Sequence, residues 1–149
     1  ADNSSFLMNG RILSIDYGSS RVGFAVSDPL HIIATPLKTI KNKSNQNLLE
    51  NINQIVKELD IETIVLGLPL GMNGKETKQT KSVREFSDSL IKNNYRVILE
   101  DERLTTVIAK KEIIKQNINT GKNKTLIDQT AAALILQNYL DRKKSIYVP

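Results

Sequence analysis

The chain has 149 residues, no cysteine, and 21 lysines and arginines against 16 aspartates and glutamates, for a net charge of +5. This length is typical of one domain that needs no disulfide or structural metal, and the lack of cysteine excludes thiolate ligands and a cysteine nucleophile. No apolar run approaches the ~18 residues that a membrane span needs, so we expect a cytoplasmic protein without membrane association. Residues 1–10 show no pattern and are interpreted as a disordered extension or a remnant of cloning, which leaves one domain at residues 11–149.

The first predicted elements are a strand, an acid, a tight turn and a second strand. Arg11–Ile15 is an apolar-rich strand that leads to Asp16, and a turn at Gly18 leads to a second strand over Val22–Ser27. So short a connection predicts an antiparallel hairpin. An aspartate at the end of a buried strand loses water and needs a cation or several donors, so Asp16 is a candidate metal ligand or phosphate-facing group. The alternative is a turn aspartate that caps a local amide.

The rest of the chain alternates between strands and helices. Ile32–Ile40 is predicted as a third strand, at an edge because of Pro36, and Ser44 caps an amphipathic helix that ends near Leu59. A strand Thr63–Gly67 and a loop Leu68–Lys75 follow. The next helix is capped by Thr77 or Thr80, and its apolar face consists of Val83, Phe86, Leu90 and Ile91. The remaining predicted elements are a strand Arg96–Leu99, a helix from Thr105, a loop Asn117–Thr125 and a helix Leu126–Tyr139. This order predicts an α/β fold: a mixed sheet of about five strands, three antiparallel and then parallel, with helices on both faces.

Acidic side chains follow the strands that should share one edge of this sheet. Asp16 ends the first strand, Asp101 and Glu102 end the fifth, and Asp128 is predicted in the opening turn of the last helix. Converging carboxylates repel each other unless a cation lies between them, and hard oxygen ligands select Mg²⁺ or Mn²⁺. Each acid also has an ordinary interpretation, as a residue of a post-strand turn or, for Asp128, as an acid that favours the helix dipole.

Basic residues cluster in the last third of the chain. The cluster consists of Lys110, Lys111, Lys115, Lys122 and Lys124, followed after the last helix by Arg142, Lys143 and Lys144. The segment from Lys122 to Lys124 is a candidate contact to nucleic-acid phosphates, and so is Lys75 in the loop after the fourth strand. The alternative is a solvated helix face and a flexible basic loop. The only histidine, His31, comes shortly after a loop proline and is interpreted as structural or solvent-facing rather than catalytic.

Four short motifs occur in order between about Arg11 and Leu140. They are Asp16, Gly18, Arg21, Gly23, Ala25, Ser27 and Asp28 in D-x-G-x-x-R-x-G-x-A-x-S-D; Gly67–Leu70 in GLPL; Asp101–Thr106 in DERLTT; and Asp128, Ala131, Ala132, Ile135 and Leu136 in D-x-x-A-A-x-x-I-L. This set resembles the YqgF (RuvX-like) family of bacterial RNase-H-like nucleases. Members are described as Holliday junction resolvases and as pre-16S rRNA nucleases.

The resemblance implies an RNase-H-like fold and a metal-dependent endonuclease with Asp16, Glu102 and Asp128 as catalytic acids and metal ligands. Hydrolysis would use two ions, with Asp16 bridging them, and Arg21 and Arg103 are candidates to hold the scissile phosphate. For Arg21 a surface ion pair is the alternative. The chain departs from related resolvases after the fourth strand, where they carry an acid and it has Leu68 and Pro69, so Glu102 must substitute.

We rank the precursor of 16S rRNA in ribosome biogenesis above branched DNA as substrate. Symmetric junction resolution needs a two-fold dimer, and the predicted apolar helix faces are already used by the sheet, so a monomer is favoured although a dimer stays open. The expected partners are structured RNA or branched DNA, and ribosomal particles. Two other classes stay open: a non-catalytic ribosome-associated module, and a kinase of the actin-like superfamily, which would need a second such domain.

Overall fold

A computed structural model describes residues 10–71, 73–104 and 124–145, and a five-stranded sheet lies at its centre. The strands are β1 (Arg11–Tyr17), β2 (Arg21–Ser27), β3 (Ala34–Lys41), β4 (Ile61–Leu68) and β5 (Val97–Asp101). Their order in the sheet is β3-β2-β1-β4-β5. The pairs β1–β2 and β2–β3 are antiparallel, and β1–β4 and β4–β5 are parallel. The predicted mixed sheet is therefore confirmed, and the carboxyl ends of β1, β4 and β5 share one edge.

The third strand lies at the predicted edge but begins two residues later than the sequence suggests. The carboxylate of Asp28 accepts hydrogen bonds from the backbone N–H groups of Ile32 and Ile33, both at 2.7 Å. These bonds hold the two residues in a turn, so β3 starts only at Ala34. The pairing of β2 with β3 shifts register near Pro36, which lacks the N–H that a regular ladder requires.

Two helices pack on one face of the sheet. Helix α1 (Asn45–Leu59) begins after Ser44, whose side chain accepts from the N–H of Asn47. Helix α2 (Lys78–Lys92) begins after Thr77 in a capping box completed by Thr80, so both predicted caps take part. Placing Ile91 on the apolar face is wrong: it is 55% exposed, because it points about 100° away from its buried neighbour Leu90.

A third helix, α3 (Lys124–Ser145), covers the opposite face. Its buried residues Ala132, Ile135, Leu136 and Leu140 pack with Ile12, Ala25 and Val65 in a second core. The hydroxyl of Ser14 on β1 donates to the carbonyl oxygen of Ala132 at 2.6 Å. Helices on both faces confirm the predicted layers.

The last helix is longer than predicted at both ends. Its C-terminal part carries Asn138 and Arg142, which both donate to the buried carboxylate of Glu100 on β5. These polar contacts, together with buried Leu140, hold the helix to the sheet at and beyond Tyr139, where the predicted helix ends. The predicted helix from Thr105 and the loop that follows it lie outside the described residues up to position 123. Among the described helices, none has the length and hydrophobicity needed to cross a bilayer.

Candidate active site

A cavity of about 310 Å³ lies at the carboxyl edge of the parallel strands. Its walls include the three predicted acids Asp16, Glu102 and Asp128, together with Arg21. These side chains come from β1, the turn after β5, α3 and β2. The structure therefore brings four of the predicted site residues around one space.

Asp16 reaches this cavity because of its place in the strand alternation. Leu13 and Ile15 belong to the core under α1 and α2, whereas Ile12 and Ser14 face α3. Asp16 follows the second set and lies opposite Gly23 in the hairpin. It is half-buried at the rim, where β1 ends.

Glu102 occupies a space that a glycine leaves open. It begins a 3₁₀ turn, Glu102–Leu104, directly after β5, and only 5% of the residue is exposed. A Cβ atom on Gly67 would lie 2.8 Å from Oε1 of Glu102 and 2.6 Å from Cδ1 of Ile135. Any side chain at position 67 would therefore displace the carboxylate or the helix. The sequence indicates Gly67 as the end of a strand and the start of the GLPL motif, but only the fold shows that it leaves room for Glu102.

Asp128 is fixed by two contacts with β2. A Cβ atom on Gly23 would lie 2.2 Å from the carbonyl oxygen of Asp128, so strand and helix touch through their backbones. Nε of Arg21 donates to Oδ2 of Asp128 at 2.7 Å. Placing Asp128 in the opening turn is wrong: α3 begins at Lys124, so Asp128 lies in the second turn, where the dipole argument has little force. Arg21 does form an ion pair, but with an acid of the cavity.

Arg103 is bound elsewhere in this structure. Its backbone N–H and its Nη2 atom donate to the carboxylate of Asp101 at 2.8 and 2.9 Å. Burial alone would raise the pKa of Asp101, but these hydrogen bonds and the adjacent guanidinium charge lower it on balance. The same guanidinium lies against Gly74, which has a φ of +83°. Arg103 therefore links the end of β5 to the loop that follows β4, outside the described wall of the cavity.

The other predicted contact residues lie outside this cavity or outside the described residues. Lys75 is exposed in the loop between β4 and α2, and its N–H donates to Asn73. Lys122 lies in the segment 105–123, which is not described, as do Lys110, Lys111 and Lys115. The side chain of Lys124, at the start of α3, is also outside the description.

His31 and Asp28 have structural partners. Nε2 of His31 is 2.6 Å from the carbonyl oxygen of Gly10. Backbone N–H groups, that of Ile33 most strongly, lower the pKa of the Asp28 carboxyl. Asp28 belongs to the first sequence motif, but in the fold it stabilises the turn before β3.

The donor set of the cavity fits a hard divalent cation in its chemistry. Asp16, Glu102 and Asp128 offer only carboxylate oxygens, which Mg²⁺ and Mn²⁺ prefer. Within residues 10–71, 73–104 and 124–145, however, no three acidic or imidazole groups approach closely enough to form an assembled metal site. The ion pair of Arg21 with Asp128 gives a physical reason, since it holds one of the three carboxylates against a guanidinium group.

Comparisons with known proteins agree on one family. Residues 10–142 match the family model described as "RuvX: Holliday junction resolvase". A protein of Endomicrobium trichonymphae is 44% identical over 133 residues, which are 88% of this chain and 95% of that protein, and one of Clostridium botulinum is 43% identical with 88% and 96% covered. Both carry the description "Putative pre-16S rRNA nuclease".

A solved structure shares the fold at low identity. RuvC of Thermus thermophilus, in complex with a Holliday junction substrate, superimposes with a TM-score of 0.56 at 11% identity and covers 91% of this chain and 96% of its own. Because RuvC-like resolvases have the RNase-H-like fold, this match confirms the predicted fold class.

Proposed function

The chain belongs to the RuvX family and is therefore a nuclease, and on this premise we propose that it is a divalent-metal-dependent endonuclease that processes the precursor of 16S rRNA. The observation that carries the proposal is the cavity walled by Asp16, Glu102 and Asp128, with Arg21 beside them. The family model and the relatives' descriptions support the nuclease class and the ribosomal precursor.

The three carboxylates have the chemistry to hold Mg²⁺ or Mn²⁺, and the fold supplies their placement. A divalent cation bound there supplies Lewis acidity toward the phosphate and lowers the pKa of a water molecule. Gly67 leaves room for Glu102, and Gly23 sets the height of Asp128 above the sheet. These two glycines therefore determine where two of the three carboxylates lie.

Arg21 has two uses in this proposal. Its guanidinium neutralises Asp128 while no cation is bound, and its fork of donors matches the oxygens of a phosphate. If Asp128 held a divalent cation, the guanidinium would no longer be needed to neutralise it and would remain at the wall of the cavity. We propose that it then holds the scissile phosphate.

Metal binding and cleavage test the proposal together. Calorimetric titration with Mn²⁺ compares the wild type with Asp16→Asn, and a labelled precursor fragment reports cleavage. We expect Asp16→Asn to bind Mn²⁺ more weakly and to lose cleavage, whereas Asp88→Asn, an exposed acid on α2, should match the wild type. Identical Mn²⁺ binding and cleavage in wild type and Asp16→Asn would contradict the proposal.

Holliday junction resolution is a second candidate, favoured by the description of the family model. The same cleavage assay should include a four-way DNA junction, and sedimentation should report the oligomeric state. Paired nicks in the junction by a stable dimer, without cleavage of the precursor, would reverse the ranking of substrates. The assignment of the acids would stand in either case.

The basic segment of the last third is proposed to supply much of the affinity for phosphates. Replacing Lys110, Lys111 and Lys115 by alanine should reduce the slope of log affinity against log salt by about one unit for each lysine that binds a phosphate. Replacing three exposed lysines elsewhere, Lys43, Lys57 and Lys92, is the matched control. An unchanged salt slope would mean that the segment is only a solvated surface.

A further inference from the structure

A groove of about 370 Å³ adjoins the cavity walled by Asp16, Glu102 and Asp128, which we call the acidic cavity. It is lined by Tyr17, Ser19, Lys78, Gln79 and Ser82. We call it the α2 groove, since three of these residues lie in the first turns of that helix. Tyr17 and Gln79 also line the acidic cavity, so the two spaces share a wall.

The strand alternation places the two spaces on opposite sides of the sheet edge. Asp16 and Tyr17 are neighbours on β1 and therefore point to opposite faces. Asp16 lies on the side of α3, whereas the ring of Tyr17 stacks on Phe86 of α2, with centroids 4.6 Å apart and planes at 19°. A chain whose phosphate lies at Asp16 would thus continue over the edge of the sheet and onto Tyr17.

The groove has the chemistry of a nucleotide site. Lys78 supplies a cation, and within the described ranges it forms no ion pair. The nearby acid Glu76 is bound to Nε of Arg84 at 2.8 Å, so its charge is already compensated. Ser19, Gln79 and Ser82 supply side chains that both donate and accept hydrogen bonds, and Tyr17 supplies an aromatic wall.

The existing bond of one groove hydroxyl is weak. Oγ of Ser82 donates to the carbonyl oxygen of Lys78 at 3.3 Å, which is long for an O–H donor. This hydroxyl can therefore turn to a ligand at little cost. The volume of the groove is also in the range of pockets that hold small-molecule ligands.

We propose that the α2 groove binds the nucleotide next to the scissile phosphate and that Gln79 and Ser82 contact its ribose 2′-hydroxyl. The inference rests on the proposed function and goes further, because it names a determinant for RNA over DNA. The 2′-hydroxyl both donates and accepts hydrogen bonds, and it is the group by which a protein distinguishes RNA from DNA. Lys78 then contacts the flanking phosphate.

The experiment combines protein variants with single-atom changes in the RNA. The variants are Lys78→Ala and the double variant Gln79→Ala/Ser82→Ala, and the control is Lys81→Ala, an exposed lysine on α2 outside both spaces. Each is assayed for kcat/KM on a precursor RNA fragment, and on copies with one 2′-deoxy nucleotide at each position flanking the cut. Affinity is measured separately in the Asp16→Asn background by fluorescence anisotropy, and thermal unfolding checks the fold.

We expect Lys78→Ala to lower kcat/KM about tenfold and Lys81→Ala to leave it near the wild type. One 2′-deoxy substitution should lower kcat/KM several-fold for the wild type but not for Gln79→Ala/Ser82→Ala, since the double variant has no side chain that binds the hydroxyl. If the wild type cleaves RNA but both groove variants behave like Lys81→Ala, the groove inference is wrong and the proposed function stands. If the wild type neither binds nor cleaves RNA, the proposed function fails, and the groove inference fails with it.

Discussion

Glu100 and Glu102 are two positions apart, both are buried, and the fold uses them in opposite ways. The carboxylate of Glu100 accepts from Nδ2 of Asn138 at 2.7 Å and from the guanidinium of Arg142, and only 3% of its side chain is exposed. Glu102 lies against the open position at Gly67 and forms part of the cavity wall. Burial therefore does not distinguish a candidate catalytic acid from a structural one. The difference lies in whether the carboxylate faces donors on α3, as in Glu100, or the cavity, as in Glu102.

The sharpest test of this difference exchanges each glutamate for its neutral isostere. Glu102→Gln should lower cleavage by at least about 100-fold, because even residues that only support a metal ligand cost 10–100-fold when removed. Glu100→Gln should keep cleavage within a few-fold of the wild type. Single-turnover cleavage of the precursor fragment measures both. If both variants lost cleavage equally, the different surroundings of Glu100 and Glu102 would not distinguish a catalytic acid from a structural one.

The close approach at Gly67 offers a second test. Gly67→Ala introduces a Cβ atom 2.8 Å from Oε1 of Glu102, so the carboxylate must move or the helix must shift. A displacement of about 1 Å at a catalytic group can cost up to about 100-fold in rate. We therefore expect a loss of cleavage that is larger than the loss of stability alone would produce. Wild-type cleavage by Gly67→Ala with an unchanged melting temperature would speak against a precise placement of Glu102.

On the structural side of the comparison, Arg142→Ala should destabilise the fold. It leaves Glu100 buried with Asn138 as its remaining described donor, and such a loss costs about 1–3 kcal/mol. Urea unfolding measures the effect. Lys144→Ala, which removes an exposed cation near the C-terminus of α3, should change the free energy of unfolding by less than about 0.5 kcal/mol. A loss no greater than that of the control would show that the pair does not stabilise the helix.

The smallest expected effect is a pH dependence of opposite sign at neighbouring acids. Burial raises the pKa of Glu100, so this group is protonated more readily when folded, and its contribution to stability falls as pH rises above about 4.3. Hydrogen bonds lower the pKa of Asp101 despite its burial, so its contribution is complete above about 3.9 and is lost at lower pH. Urea unfolding between pH 3 and 7 should show both trends, each removed by the Glu100→Gln or Asp101→Asn variant. Trends of the same sign in both comparisons would contradict the assigned environments.

The acidic edge of the sheet could be predicted from the sequence because it follows from local patterns. Alternation gives the strands, the turn at Gly18 gives the hairpin, and parallel pairing brings the ends of β1 and β5 to one edge. That Asp128 lies in the second turn of α3 could not be predicted, because the helix begins with polar residues, before the apolar pattern that predicts its start. The bond of Asp128 with Arg21 joins residues 107 positions apart, a separation over which no sequence pattern acts.

The role of Glu100 could not be predicted for a related reason. An acid within a short strand does not show which partner it binds or which face of the sheet it points to. Its donors are Asn138, in the last turn of the predicted helix, and Arg142, beyond the predicted end. The α2 groove was missed because Ser19, Lys78 and Ser82 are ordinary surface residues in sequence. Only the packing of α2 against Tyr17 brings them together.

The direct backbone contact between Gly23 and Asp128 has a consequence for the order of events during protein synthesis. Strand β1 and the turn after β5, which supply Asp16 and Glu102, are synthesised before α3. Asp128 joins them only when α3 packs across β2. Domains fold during translation from the N-terminal side, at about 5–20 residues per second. A nascent chain therefore lacks the α3 wall of this cavity, and with it Asp128, until α3 has left the ribosome.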